Sequence, residues 1–275
     1  MAEMLWQVYA IKYADRNNRT RVESFIADPA HDQPHPMDYF VWVLKSGDSV
    51  ILVDTGYDAD EARRRGRPII TAPAKAIEAL GLSAESMTDI IITHLHYDHA
   101  GSLGAFPNAR FHLQPAEMAY ATGPCMCEDA LRKPFTGAHI CDAVTALYSG
   151  RVRFAREDDQ IAEGVTVHCV GGHSRGLQVV RVKTAAGWMC LASDATHYFE
   201  NFLQRKPFPI VVDVEAMLAG FDRIQNLASR TELVVPGHDP LVTSIYPAFG
   251  TSGFVWRLDA GPQAPLPPDV TGAAT

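Results

Sequence analysis

The segment Asp89-Ile-Ile-Ile-Thr-His-Leu-His-Tyr-Asp-His-Ala-Gly101 decides how the rest of the chain is interpreted. It begins with a short run of β-branched apolar residues, which predicts a buried strand that ends at Thr93. Four side chains of metal-binding type follow within six residues: His94, His96, Asp98 and His99. The first two histidines flank Leu95, and side chains two positions apart face the same way only in extended chain. The spacing therefore predicts ligands presented by the end of a strand, not by a helix.

Three more candidate ligands each follow a predicted strand further along the chain. His173 follows the strand at residues 165–170 through two glycines, Asp194 ends an apolar run, and His238 comes after Val-Pro-Gly at residues 235–237. Functional groups in α/β proteins gather on loops at one edge of the layers, so we expect all of these side chains to converge. Five histidines and two aspartates are too many for one tetrahedral zinc ion. They suit two ions about 3.5 Å apart that share a carboxylate and a hydroxide.

The seven candidate ligands are expected to divide between the two ions. One metal ion takes His94, His96 and His173, the other takes Asp98, His99 and His238, and Asp194 bridges the two. Nitrogen-rich ligands suit Zn²⁺, but also Fe, Mn or Co, so the sequence leaves the identity of the metal open. Histidines outside this set are expected to be structural: His31, His35, His112, His139 and His168.

Two stretches of the chain share one design. Residues 40–54 and 179–194 each hold an apolar run, a polar turn with glycine, a second apolar run and a terminal aspartate, Asp54 or Asp194. Each stretch predicts a β-hairpin, and the pair predicts two halves of a duplicated sheet structure. Strand and helix patterns alternate between and after them without a low-complexity linker. We therefore predict one α/β domain over residues 1–258, followed by a Pro-rich tail over residues 259–275.

Composition excludes several classes of protein. The chain has 275 residues with 24 Lys and Arg against 32 Asp and Glu, and its net charge of −8 argues against a nucleic-acid binder. No apolar run reaches the length of a membrane-spanning helix, and the N-terminal segment reads as a strand, not a signal peptide. Five sparse cysteines do not form a disulfide framework. The expected location is the cytoplasm.

The motif His-x-His-x-Asp-His at residues 94–99, together with the glycine-flanked His173, Asp194 and Gly237-His238, resembles the metallo-β-lactamase superfamily. The resemblance covers residues 38–242. It implies an α/β fold, an αβ/βα four-layer sandwich of two mixed β-sheets flanked by helices, with the site at one edge. It also implies that Asp54 does not bind the metal itself but orients the metal ligands beside it.

Within that superfamily, three features narrow the resemblance. A bridging Asp194 argues against true β-lactamases, whose relatives usually lack it. Gly176-Leu-Gln178 and the Pro-rich C-terminal part argue against glyoxalase II, and nuclease relatives carry extra domains and a basic surface. Residues 173–178 and 194–202 are similar to quorum-quenching N-acyl-homoserine lactonases and related lactonases. This implies a dinuclear hydrolase that opens a lactone ring of a small-molecule substrate by attack of metal-bound hydroxide.

One position departs from the lactonase pattern. In that group a tyrosine three residues after the bridging aspartate donates a hydrogen bond to the lactone oxygens. Here that position is His197, and Tyr198 follows it. Either side chain is expected to stabilise the oxyanion, and Asp98 or Asp194 to move the proton. The departure weakens the specific prediction of an N-acyl-homoserine lactone as substrate.

Several alternatives stay open on the sequence alone. The bond cleaved could be a thioester, a cyclic amide or a phosphoester, or the protein could bind metal without hydrolysis. A phosphodiesterase should carry Lys and Arg near its site, whereas Arg63-Arg64-Arg65 is interpreted as a solvated helix face. Eight aromatic residues are candidates for an apolar substrate pocket: Trp42, Tyr57, Phe106, Tyr120, Phe135, Phe199, Phe202 and Phe249. Relatives are often homodimers, and residues 1–37 are the candidate contact.

Overall fold

The computed structural model describes residues 4–272 of the chain, and all structural statements refer to that range. Its strands are β1 (Gln7–Arg16), β2 (Met37–Ser46), β3 (Ser49–Val53), β4 (Gly56–Tyr57), β5 (Asp89–Ile91), β6 (Ala100–Gly101), β7 (Arg110–Leu113), β8 (Val152–Phe154), β9 (Asp158–Ala162), β10 (Val165–Cys169), β11 (Gln178–Thr184), β12 (Gly187–Ser193), β13 (Val234–Pro236) and β14 (Val255–Arg257). Its α-helices are α1 (Ala59–Arg65), α2 (Pro73–Ala76), α3 (Pro115–Ala121), α4 (Asp129–Arg132), α5 (Gly137–Tyr148), α6 (Phe199–Leu203), α7 (Val214–Leu227), α8 (Leu241–Ile245) and α9 (Pro268–Thr271).

The strands form two mixed sheets within the described range. The larger has the order β14-β1-β2-β3-β5-β7-β8, and the smaller has the order β13-β12-β11-β10-β9. Both predicted hairpins are present, as the antiparallel pairs β2–β3 and β11–β12. A parallel strand lies beside the second arm of each hairpin, β5 beside β3 and β13 beside β12. The prediction of two related sheet halves is therefore confirmed.

Alternation along the strands assigns side chains to the two sides of the larger sheet. From β1, Val8 and Ala10 join a core cluster that contains Val165, Val180 and other residues of the smaller sheet. The intervening residues of β1 join a second cluster with α2, α3 and α5. Helix α7 contributes Phe221 to the first cluster. Two sheets thus enclose one core and carry helices on their outer faces, which confirms the predicted four-layer α/β sandwich.

Local sequence signals begin and end the helices. The side chain of Asp58 accepts a hydrogen bond from the amide of Glu61 at 2.8 Å and caps α1, which stops at Gly66 in the left-handed conformation. Asp213 caps α7 in the same way through the amide of Ala216. The two helices therefore begin where a capping aspartate stands, as side-chain capping predicts.

The Pro-rich C-terminal stretch lies against the sandwich as far as the structure describes it. Leu266 and Val270 pack on the core between the sheets, and the amide of Gln204 donates hydrogen bonds to the carbonyls of Asp269 and Val270. The prediction of a domain boundary after residue 258 stays a prediction. Across residues 4–272, no helix combines the length and apolar character that a bilayer crossing requires.

Candidate metal centre

Ends of strands from both sheets deliver the predicted site residues to one place. The 94–99 loop follows β5, His173 follows β10, Asp194 follows β12 and His238 follows β13. Gly172 makes the approach of His173 possible, since its φ is +83° and a Cβ there would lie 2.7 Å from the Cα of Met217. A larger residue at this turn would collide with the start of α7.

Asp194 occupies the middle of the cluster. Its Oδ1 lies 3.1 Å from Nε2 of His99 and 3.0 Å from Nε2 of His238. Its Oδ2 lies 3.1 Å from Nε2 of His173 and 3.9 Å from Nε2 of His94. The two carboxylate oxygens therefore face two different sets of imidazoles. Potential ligand atoms form four overlapping groups: His94 with His96 and His173, Asp98 with His99 and His238, His94 with His99 and Asp194, and His173 with Asp194 and His197. The first two groups are the predicted ligand sets, and Asp194 belongs to the other two.

Hydrogen bonds on the far side of the rings orient the imidazoles. The Nδ1 atom of His173 lies 2.6 Å from the carbonyl of Ile210, and that of His238 lies 2.8 Å from the carbonyl of Asp38. Asp54 holds the third ring, with Oδ2 at 2.7 Å from Nδ1 of His99. An N–H donated outward from Nδ1 leaves Nε2 as the lone-pair atom that faces the centre.

Asp54 is itself held by the strand that carries the motif. It accepts hydrogen bonds from the amide of Thr93 at 2.7 Å and from its hydroxyl at 2.8 Å. The residue is fully buried and adopts a φ of +63°, in the left-handed region. Its supporting position agrees with what the resemblance implied for the first hairpin.

The donor set fits a pair of divalent cations. Within residues 4–272, Nε2 of His94, His99 and His173 and Oδ1 of Asp194 are buried without a hydrogen-bond partner. Buried polar atoms of native proteins are normally satisfied, because leaving one unpaired costs about 1–3 kcal/mol. Metal ions at the centre would satisfy all of these atoms together. Imidazole and carboxylate are also the ligand types that zinc and its first-row neighbours bind.

Protonation states in the cluster suit metal binding. Burial holds the pKa of His94 and His96 well below the ordinary value, so both rings are neutral at pH 7. Burial alone would raise the pKa of Asp194, but His238, His99 and neighbouring imidazoles hold it well below its usual range. A metal site needs neutral imidazole and ionised carboxylate. His99 differs, because burial alone would lower its pKa but Asp194 and Asp54 outweigh that effect and raise it well above the ordinary value, so this ring must release a proton when a cation binds.

Comparison with known proteins identifies the family. A profile of the metallo-beta-lactamase superfamily matches residues 36–244, which is more than half of the chain. The chain belongs to the metallo-beta-lactamase superfamily. With its buried cluster of His and Asp, this superfamily member is a metal-dependent hydrolase.

Individual relatives are distant but cover most of the protein. A Mycobacterium tuberculosis protein named "Probable metallo-hydrolase" is 27% identical over 73% of this chain and 74% of its own length. An N-acyl homoserine lactonase of Bacillus cereus is 29% identical over 72% of this chain and 81% of its own. The crystal structure of a quorum-quenching N-acyl homoserine lactone lactonase superposes with a TM-score of 0.73 at 23% identity, covering 88% of this chain and 95% of that one. These structures share the fold.

A cleft of about 610 Å³ opens onto the metal centre of this metallo-beta-lactamase superfamily member. His197 lines the cleft, with Nε2 at 2.9 Å from Oδ2 of Asp194 and its ring stacked on Phe208 at 3.7 Å. Tyr198 points elsewhere: its hydroxyl accepts a hydrogen bond from Arg19 and donates one to the carbonyl of Pro36 at 3.1 Å. In this conformation the hydroxyl of Tyr198 is engaged away from the metal centre, and which of the two side chains stabilises the oxyanion stays a prediction.

Two interpretations of surface and pocket residues need correction. Arg65 does not belong to a solvated helix face, since it lines the cleft with a side chain that is 14% exposed. Its neighbours Arg63 and Arg64 are exposed as predicted. Of the aromatic candidates for a substrate pocket, only Tyr120 lines this cleft, and the others contribute mainly to the core clusters. Sequence alone cannot distinguish an exposed arginine from one that lines a cleft, or a core aromatic residue from one that lines a pocket. Both members of each pair occur in similar helical and strand patterns.

Sequence reasoning missed a buried carboxylate that supports the metal loop. Glu117 of α3 accepts hydrogen bonds from the amides of Leu95 and Gly176, both at 2.9 Å, and from the hydroxyl of Ser174. It thereby ties the 94–99 loop to the loop that carries His173. A Cβ on Gly176 would lie 2.1 Å from the backbone nitrogen of Glu117. No local motif marks Glu117, since its partners are distant in sequence.

The histidines predicted to be structural lie outside the described ligand groups. Nε2 of His112 lies 2.8 Å from Asp89, and Nδ1 of His168 lies 2.8 Å from Asp158. These are ordinary pairs of an imidazole with a carboxylate on neighbouring strands. Clustering at strand ends, and not histidine content, was therefore the informative signal.

Proposed function

We propose that this metal-dependent hydrolase is a lactonase, which opens a lactone ring at a centre holding two divalent cations. The observation that carries the proposal is the position of Asp194, whose two oxygens face two separate groups of ligands. Curated relatives named as N-acyl homoserine lactonases support the lactone as substrate class. If the lactone is an N-acyl-homoserine lactone, the biological outcome is quorum quenching.

The proposed ligand sets follow the two groups of donor atoms. His94, His96 and His173 hold one ion, Asp98, His99 and His238 hold the other, and Asp194 bridges. When bound, two such ions lower the pKa of a water molecule toward neutrality and polarise the carbonyl of a substrate. The identity of the metal is open among Zn, Fe, Mn and Co, because histidine-rich sites accept all of them.

His197 is the proposed stabiliser of the oxyanion. Burial lowers the pKa of His197 to about 3, so its ring is neutral at pH 7. The nearby Asp194 carboxylate favours the tautomer that carries its proton on Nε2. A carbonyl oxygen placed beside Asp194 in the cleft comes within reach of that N–H. The ring is held for this purpose by stacking on Phe208.

Asp98 is the proposed carrier of the proton. Both carboxylates line the cleft, but both oxygens of Asp194 face imidazoles at about 3 Å, whereas Oδ2 of Asp98 lies 3.9 Å from Nε2 of His238. The backbone of this residue is fixed by the hydroxyl of Tyr13, which donates to its carbonyl at 2.7 Å. In the overall reaction water adds across the acyl C–O bond, and the ring oxygen leaves as the hydroxyl of a hydroxy acid.

A substrate panel tests the proposal directly. Metal-loaded protein is assayed on lactones, thioesters, a cyclic amide and phosphodiesters, and we expect the highest kcat/KM on a lactone. His197→Asn should lower kcat on that lactone by about 10²–10³-fold, the range for loss of one oxyanion donor. Tyr198→Phe serves as the matched control and should change kcat far less. Equal losses in both variants, or no lactone turnover, would contradict the proposal.

Phosphoester hydrolysis is the second candidate, because cationic side chains line the cleft. Arg16, Arg19, Arg65, Arg67 and Lys133 all contribute to its walls. Such groups suit a substrate with negative charge at the scissile bond. Turnover of a phosphodiester faster than of every lactone in the panel would favour this candidate.

Assembly as a homodimer also stays a prediction. Strand β1 takes an inner position between β2 and β14, so that part of residues 1–37 is used by the sheet of its own chain. Residues 17–36 of this segment lie outside that strand. Light scattering of the purified protein measures the assembly.

A further inference from the structure

The cleft is cationic although the whole chain carries a net charge of −8. Five basic side chains line it, against three carboxylates: Glu23, Asp98 and Asp194. Asp98 and Asp194 belong to the metal centre, so Glu23 is the one carboxylate that lines the cleft away from it. Positive charge is therefore concentrated where a substrate enters, and a concave site focuses that potential.

Three of these cations already have carboxylate partners in the protein. Arg65 forms an ion pair with Glu61, whose side chain is only 3% exposed, and Glu23 pairs with Arg16 at 2.9 Å and with Arg19 at 3.8 Å. Arg67 and Lys133 differ, since within residues 4–272 neither forms an ion pair. Arg67 is half-buried and donates a hydrogen bond to the hydroxyl of Tyr97.

Tyr97 connects this basic wall to the metal loop. It stands between the proposed ligands His96 and Asp98, and its amide donates to the carbonyl of Pro134 at 2.9 Å. The guanidinium of Arg65 lies 3.8 Å from the centre of its ring, and that of Arg67 lies 5.1 Å from it. Two like charges are thus held on one aromatic side chain, and only one of them has a carboxylate partner. An anion bound in the cleft would give Arg67 the charged partner that Arg65 already has.

We propose that Arg67 and Lys133 form a subsite for a negatively charged substituent of the substrate, a carboxylate or phosphate remote from the scissile ring. The inference rests on the proposed lactonase function. It specifies the substrates as lactones that carry a negatively charged group. Arg67 offers a planar fork suited to two oxygens of an oxyanion, and the exposed Lys133 offers a point charge on a flexible stem. The metal centre acts on the ring while the basic wall holds the other end.

Matched lactones test the subsite. N-hexanoyl homoserine lactone is compared with its N-adipoyl counterpart, which has a terminal carboxylate in place of the methyl group, and with a lactone whose acyl chain ends in phosphate. We expect kcat/KM to favour an anionic lactone by at least about tenfold, mainly through KM, as a charge-assisted hydrogen bond provides. The preference should shrink as salt is added, because an open cleft is screened. The two anionic lactones distinguish carboxylate from phosphate.

Variants separate charge from shape. Arg67→Gln and Lys133→Met should bring the ratio of kcat/KM for anionic over neutral lactone close to 1. Arg67→Lys should keep only part of the preference, because the charge remains but the planar fork is lost. Arg63→Gln is the control, since Arg63 lies on the exposed side of α1 and pairs with Asp60. A preference unchanged in Arg67→Gln and Lys133→Met overturns the subsite, as does equal turnover of neutral and anionic lactones.

Failure of the proposed function is distinguishable from failure of the subsite. If no lactone is opened, calorimetry compares binding of the ring-opened hexanoyl and adipoyl products to the metal-loaded protein. Tighter binding of the adipoyl product that is lost in Arg67→Gln supports the subsite even then. Equal binding overturns it. Faster turnover of bis(p-nitrophenyl) phosphate than of any lactone also overturns it, since the cations would then serve the scissile group.

Discussion

The two sheets repeat one local pattern but use it differently. In each, a hairpin is followed by a strand parallel to its second arm, as β2–β3 with β5 and as β11–β12 with β13. An aspartate follows the second arm in both cases, Asp54 in the larger sheet and Asp194 in the smaller. Metal-binding histidines follow the parallel strand in both cases. The site therefore lies where two equivalent sheet edges meet.

The equivalent aspartates have different tasks. Asp54 accepts hydrogen bonds from Thr93 and from Nδ1 of His99, the ring nitrogen that faces away from the metal centre. Asp194 stands among the imidazoles themselves. Four candidate ligands follow β5 within six residues, whereas one candidate ligand, His238, follows β13. The same strand-end position thus holds a supporting aspartate in one sheet and a member of the donor cluster in the other.

Removing the metals should have the largest effect, because ligands from both sheets share them. Treatment with a chelator should abolish hydrolysis and lower the free energy of unfolding by about 4 kcal/mol per site bound at a thousand times its dissociation constant. Hydrogen exchange should speed up together in the loops after β5 and β13. Restoring Zn²⁺ or Mn²⁺ should reverse both changes. Full turnover by metal-free protein would contradict the ligand assignment.

Replacing the central aspartate should have the next largest effect. Asp194→Asn should lower kcat/KM by more than the roughly 10–100-fold typical of outer partners of a metal ligand. Metal analysis should find fewer than two ions per chain, because a neutral amide bridges two cations poorly. Two tightly bound ions in this variant would show that Asp194 does not bridge.

The equivalent change in the other sheet should cost less. Asp54→Asn removes a charged acceptor from Nδ1 of His99 but leaves the proposed ligands in place, so we expect a loss of about 10–100-fold in metal affinity or activity. Metal titration of the two variants side by side measures the difference. A loss as large as that of Asp194→Asn would remove the distinction between the two aspartates.

The smallest effect concerns the helices that cover the sheets. Arg64, Arg65 and Thr136 overcome the effect of burial and lower the pKa of Glu61 in α1 to about 2. Because this value lies below the ordinary 4.5, the stabilisation is complete above about pH 4.5 and is lost as the pH falls toward 2. We expect a loss of roughly 1–3 kcal/mol in unfolding experiments across that range.

Glu61→Gln provides the control for this pH dependence. The variant should be less stable at neutral pH and should lose less stability on acidification than the unmodified protein. Amides of α1 should lose protection in acid before those of α7, whose buried residues include the apolar Met217, Phe221 and Ile224. Equal pH dependence in the two proteins would show that Glu61 contributes little.

Local sequence predicted most of the elements that build the site. Both hairpins and the strand before His94 appear where apolar runs and turn residues indicated them. The crowding of four donors after β5 also predicted a metal loop, because such side chains are rarely placed together without a cation. The role of Arg65 was wrong, and Glu117 was missed. Each contacts residues far away in the chain, so no local pattern reports its environment.

The sequence by itself determined the α/β sandwich and the residues offered to the metals, because hydrophobic alternation and strand-end motifs act over a few neighbouring positions. Only the tertiary structure decided that His197, and not Tyr198, faces the cleft, since Arg19 and Pro36 engage the tyrosine hydroxyl from a distant segment. It also brought Arg67 and Lys133 to one wall from separate loops. Tyr97 contacts both segments, since its hydroxyl accepts from Arg67 and its amide donates to the carbonyl of Pro134, and contacts between residues so far apart in the chain leave no local sequence pattern.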